Sequence, residues 1–137
     1  MANEALVSSV KRIMTLSKSG DFDGAHAAYA ELFTSPEFAT YRPEDQRQAL
    51  KLLVLAKRSG APSASLLDAL RAASGPLEAL VASVGEPPDL EMLGLCKLLL
   101  GDAPAASALF RTGLEKERAA NPQSDLCGRL MTRLSAI

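Results

Sequence analysis

Tryptophan is absent from the chain, and the four Phe and two Tyr amount to only 4% of its 137 residues. A core left to Leu, Ala and Val suits closely packed helices better than a β-sandwich, whose strands favour aromatic and β-branched side chains. Histidine occurs once, as His26, and cysteine twice, as Cys96 and Cys127. Two widely spaced Cys and one His, with no CxxC, offer neither a zinc ligand set nor a disulfide framework. Charge of one sign is also missing. Fifteen basic against sixteen acidic residues leave a net charge of -1, no electrostatic footprint for nucleic acid or anionic lipid. No apolar run approaches the roughly 18 residues of a membrane helix. The start, Met-Ala-Asn-Glu-Ala-Leu, has no basic region ahead of an apolar one, which predicts no secretory leader. Walker, GxGxxG and GxSxG motifs are absent. Strand-like alternation and Asn-Gly or Asp-Gly hairpin turns are not found. A reduced, cytoplasmic protein without cofactor, metal or catalytic residues is the expectation.

Apolar residues make up 47% of the sequence, enough at this length for one domain with a core of its own. Its clearest stretch is Gly94 to Leu114. An apolar helix stops at Gly101, turns through Asp102 and Ala103, and restarts at Pro104. Gly past a helix end and Pro in the next first turn are the normal punctuation of an αα-hairpin.

The remaining chain reads as weaker copies. Asn3 caps a helix to about Ser19, with Leu6, Val10, Ile13 and Met14 at helical spacing. Gly20 ends it, and Asp21 or Asp23 caps the next helix, about Gly24 to Phe33. Those two acids serve better as caps than as calcium ligands, because no 12-residue acidic loop follows. A short helical turn is expected after Ser35-Pro36-Glu37. Pro43 forces Tyr41-Arg42 into an extended pair. A third helix, Pro43 to Ser59, places Glu44 and Asp45 in its first turn and Lys57 and Arg58 in its last, complementing the helix dipole. After Gly60, helices are expected over Ala64 to Ser74 and, past Gly75-Pro76, over a short segment to about Val84. Gly85-Glu86-Pro87-Pro88 is the sharpest break. The Gly94 hairpin then spans about 89 to 120, and Ser124 or Asp125 caps a last helix over about 123 to 136.

The interhelix glycines recur evenly: 60 − 20 = 40 and 101 − 60 = 41. Paired helices at that period are the mark of a solenoid. Leu93-Gly94, Gly101, Ala106 and Phe110 resemble the Leu-Gly, Gly, small-residue and aromatic positions of tetratricopeptide repeats. Gly20, Ala25, Tyr29 and Leu32 resemble the second half of that pattern. Gly60, Ser65, Ala69 and Ala72 follow it without an aromatic, while Ile13 and Leu53 stand where the family has a small residue. HEAT-like repeats, with periods of roughly 40 to 47, are the nearest alternative.

The resemblance implies an all-α, right-handed superhelix of about three antiparallel hairpins (about 3–33, 43–74 and 89–120). A short helix at 76–84 and a C-terminal capping helix complete a single domain over 1–137. It implies a concave face carrying Val10, Met14, Leu50, Val54, Glu91 and Leu95, with Lys18, Lys57 and Arg58 near one end. The Lys and Asn clamp with which some such domains hold a peptide carboxylate is not present at these positions. What remains is an apolar groove for a partner's amphipathic helix, or equally a core covered by the last helix. Pro88-Asp89-Leu90-Glu91, Leu95-Cys96 and Leu100-Gly101 are similar to a segment of the tetratricopeptide-like chaperones of type III secretion needle subunits.

The function implied is a non-catalytic adaptor or chaperone-like module that holds a protein or peptide partner, with no nucleic acid and no membrane. Self-assembly, down to a homodimer, is the alternative, because Leu6, Val10 and Met14 are apolar on the first helix. His26 lies off the Ala25-Tyr29 face and reads as a surface residue without a nucleophile to serve. Cys96 and Cys127 read as small buried hydrophobes. The basic run from Arg42 to Arg58 lacks interleaved aromatics and reads as a solvated face.

Overall fold

The structure, a computed structural model, describes residues 4–58 and 60–137. Among them are seven α-helices and no strand: α1 (Glu4–Lys18), α2 (Phe22–Thr34), α3 (Pro43–Val54), α4 (Ala64–Ser83), α5 (Pro87–Leu99), α6 (Ala103–Ala120) and α7 (Asp125–Ser135). A 3₁₀ turn, Phe38–Thr40, separates α2 from α3. The all-α expectation holds. Asn3, expected to cap α1, lies outside the described residues. The chain divides into two compact units, Met1–Pro76 and Leu77–Ile137.

In the first unit α1 packs on α2 through a six-residue turn. Asp21 N–H donates to Leu16 O at 3.0 Å and Gly20 N–H to Ser17 O at 3.1 Å. This is a Schellman closure, and Gly20 adopts the φ of 87° that it requires. Asp21 then caps α2, its Oδ1 accepting from Gly24 N–H at 2.9 Å. Four of the six aromatics form a row of ring contacts, the first pair stacked and the next two edge to face, running from α2 to Tyr41 just before α3. Tyr29 and Phe33 lie 5.6 Å apart between centroids, Phe33 and Phe38 5.2 Å, and Phe38 and Tyr41 5.8 Å.

Two expected boundaries differ. Helix α3 ends at Val54 instead of Ser59. The Arg58 guanidinium donates to the Leu53 carbonyl, which in a longer helix would accept from the Lys57 N–H. A side chain thus takes the place of the next helical turn, and Lys57 and Arg58 leave the helix. Gly75-Pro76 does not separate two helices either, because α4 runs through it with Pro76 inside. Its apolar stripe continues across the proline: Leu70, Ala73, Leu77 and Leu80 are all buried. Each buried Leu contributes about 1.5–3 kcal/mol, so three of them outweigh the roughly 3 kcal/mol of an interior proline. Gly75, lacking a Cβ, also eases the clash that Pro imposes on the residue before it.

In the second unit α5 packs on α6, and α6 on α7. The α5–α6 turn repeats the α1–α2 turn bond for bond. Asp102 N–H donates to Lys97 O at 2.8 Å, and Gly101 N–H to Leu98 O at 3.1 Å. Asp102 Oδ1 accepts from Ala105 N–H at 3.1 Å. Pro87 and Pro88 open α5 two residues before the expected Asp89. Close approach of α5 to α6 rests on Gly94, where a Cβ would lie 2.5 Å from Phe110 Cε1. Ser124 caps α7, accepting from Cys127 N–H at 3.1 Å.

Candidate functional site

Within the first unit, α1, α2, α3 and the segment leading into α4 enclose a cleft of about 560 Å³. Its position follows from the early end of α3. The chain over 55–58 and 60–63 is not helical, and a space opens between the tips of α1 and α2 and the start of α4. Three large apolar side chains line the space while remaining exposed: Phe22 (61%), Leu52 (41%) and Met14 (37%). Tyr29, Leu53 and Leu66 form its floor. The charged side chains in the lining are Lys57 and Arg58.

One polar cluster stands at the margin. Ser65 Oγ donates to Asp23 Oδ1 at 2.7 Å. With that proton committed, Ser65 accepts from His26 Nδ1–H at 2.8 Å, which fixes the tautomer of His26. Burial lowers the His26 pKa from its ordinary 6.5, Asp23 opposing and Arg58 reinforcing the shift. The imidazole is therefore neutral at pH 7. The three side-chain types of a hydrolytic relay are present, but in the wrong order. Asp23 grips the serine instead of the imidazole, so nothing here draws the serine proton onto His26. What the cluster does is tie α2 to the first turn of α4, where Ser63 Oγ accepts from Leu66 N–H at 3.2 Å. His26, expected as an unengaged surface residue, is half-buried and bonded.

The side chains expected on a single concave face are distributed as follows. Met14, Lys57 and Arg58 come together in the cleft. Lys18 is exposed at the end of α1, next to Ser17 of the lining. Val10 is half-buried on α1, while Leu50 and Val54 are fully buried core residues. Leu95, in the second unit, packs against the cluster around Ala106 and Phe110.

Glu91, also in the second unit, is 1% exposed. Its carboxylate accepts from Arg129 Nε at 3.0 Å, Arg129 Nη2 at 3.2 Å and Arg133 Nε at 2.9 Å. Burial pushes its pKa up, but the bonds and charges of the two arginines outweigh that and hold it below 4.5. The same bond raises the Arg129 pKa.

Phe22, Leu52 and His26 are cleft residues that the sequence reading did not assign. Leu52 carried a signal. It lies off the Leu50, Leu53, Val54 stripe, and a large apolar residue on the outer face of a helix has no place in that helix's own core. Phe22, directly after the Gly20-Asp21 turn, belongs to no apolar stripe that would have singled it out.

Among the described residues no group of His, Cys, Asp and Glu is placed to hold a metal ion. Compared with known proteins, the chain matches no family model, no curated protein and no solved structure.

Proposed function

We propose that this protein is a non-catalytic, cytoplasmic adaptor or chaperone-like module, and that the cleft of its first unit holds an amphipathic helix of a partner protein. The partner helix carries a Leu-type stripe with acidic residues along one edge. The observation that carries this reading is the gathering of Met14, Phe22 and Leu52, exposed on three different helices, around one space whose charged lining is cationic. Isolated exposed apolar residues are ordinary, whereas a contiguous group with a polar rim marks an interaction site. Lys57 on the lining favours an acidic edge on the partner. Nucleic acid and membrane lie outside the proposal, given the net charge of -1 and the absence, among the described residues, of a helix long and apolar enough to cross a bilayer.

The wider architecture we propose is a tetratricopeptide-like superhelix of three hairpins with α7 as its cap. Recurrence of the same Gly-Asp turn 81 residues apart, at Gly20 and Gly101, supports it. The likeness to needle-subunit chaperones falls on α5, whose side chains are mostly buried, and adds nothing to the choice of partner.

Fluorescence anisotropy with two synthetic helices of the same Leu stripe tests the reading, one edged with Glu and one with Lys. The Glu-edged helix is expected to bind and the Lys-edged helix to bind at least tenfold more weakly. Leu52→Asp should cost another tenfold, about 1.4 kcal/mol, and Lys57→Glu should reduce the preference. Equal binding of the two helices, or binding untouched by Leu52→Asp, overturns the proposal.

A further inference from the structure

Helix α7 presents an amphipathic face to the pair formed by α5 and α6. Leu126, Cys127 and Leu130 are buried on it and join Ala106, Phe110 and Leu114 in one apolar cluster. Arg129 and Arg133, one turn apart, close over Glu91 of α5. The groove therefore carries a chemical signature of its own, apolar walls around a buried carboxylate that needs guanidinium donors. Helix in groove is a standard mode of recognition between separate chains. Here both parts belong to one chain, joined by the four residues 121–124.

We propose that α7 exchanges between two copies of this chain, each seating its α7 in the α5–α6 groove of the other. This inference is independent of the cleft in the first unit. The apolar cluster and the Glu91 ion pairs that hold α7 are made with α5 and α6, and they can form equally when α7 comes from a second copy. The two arrangements differ only in the connector. That connector is largely exposed, and Ser124 N–H to Asn121 O at 3.1 Å closes its turn. Asn121, held off the α conformation by Pro122, has already left the helix, with φ -155° and ψ 79°. Straightened, four residues reach about 13 Å, more than the roughly 10 Å width of a helix. An open groove would leave Glu91 without its arginine bonds against apolar walls, which is costly. The helix that matches it, present at equal concentration, is α7 of another copy. Exchange of an identical element is a low-cost route to a dimer.

Charge reversal split between two chains tests this. One chain carries Glu91→Arg, the other Arg129→Glu with Arg133→Glu. Alone, each sets like charges in its own groove. Mixed, an exchanged pair is complementary at both grooves. The mixture is expected to give a dimer of twice 14.4 kDa by light scattering, and each chain alone a monomer. A third chain with all three substitutions should fold and shows that the reversed pairing is tolerated. A mixture that stays monomeric while the third chain folds overturns the proposal. Where the third chain does not fold, the wild type decides. Refolded from denaturant at high concentration, it should yield a separable dimer that Leu130→Asp abolishes. A wild type that refolds only as monomer at every concentration overturns the exchange.

Discussion

A methyl group at Gly94 would sit 2.5 Å from Phe110 Cε1, and Phe110 is itself fully buried. Overpacking of this kind costs about 1–3 kcal/mol. Gly94→Ala should lower the urea midpoint by that amount, and Gly94→Ala with Phe110→Leu should recover part of it. His26 gives a pH-dependent counterpart. Its pKa is lowered in the folded chain, so the unfolded chain takes up a proton first as the pH falls. Stability is then highest above pH 6.5 and declines as the pH drops from there to the folded pKa. Urea titrations across that window should show the decline, and His26→Gln should flatten it. At this scale the sequence was informative where a residue has one physical use. Gly94 paired with Phe110 is such a case, as are the capping acids Asp21 and Asp102. It was silent on His26, because the partner Ser65 lies 39 positions away.

At the scale of elements, the strongest constraint on α7 is the Glu91 carboxylate. Removing both donors, as in Arg129→Ala with Arg133→Ala, leaves a buried charge without its partners, a loss of about 3–5 kcal/mol in comparable cases. Glu91→Leu, which removes the charge and keeps the groove apolar, should be close to neutral. Thiol labelling of Cys127, buried on the inner face of α7, measures the difference. Labelling should be fast in the double arginine variant and slow in Glu91→Leu. Because the Glu91 pKa is depressed, its contribution is present above pH 4.5 and lost as the pH falls through the folded value. Protection of Cys127, taken as the labelling rate relative to the unfolded chain at the same pH, should therefore weaken in that range. Helix ends set by local chemistry were readable in advance, including the two Gly-Asp turns and the Ser124 cap. The end of α3 was not, because a side chain of the following loop reaches back to satisfy its carbonyl. Nor was the passage of α4 through Pro76, where a buried stripe overrides a local breaker.

For the molecule as a whole, the few aromatics and cysteines divide usefully. The row of rings from Tyr29 to Tyr41 belongs to the first unit, and Cys96 and Cys127 belong to the second. Near-ultraviolet dichroism therefore reports mainly on one unit and thiol protection on the other. Gly94→Ala should shift the thiol transition more than the dichroism transition, and equal shifts would mean that the two units unfold as one. Fold class was legible from composition and spacing because the helices carry apolar residues at helical period, and α5, buried on most sides, is apolar almost throughout. The cleft was half legible. Met14, Lys57 and Arg58 were assigned to a binding face, but Leu50 and Val54, equally apolar and equally spaced, turned out to be core. Periodicity tells which side of a helix is apolar, and only the neighbouring elements decide whether that side is covered.

The Gly-Asp turns bear on how quickly the structure is reached. Each closes two helices within six residues, and the helix pairs that pack most closely, α1 with α2, α5 with α6 and α6 with α7, are successive in the chain. Little loop entropy has to be spent before such contacts form, and helical proteins of low contact order fold in microseconds to milliseconds. A newly made hairpin of this protein can therefore be in place before much more chain has followed it.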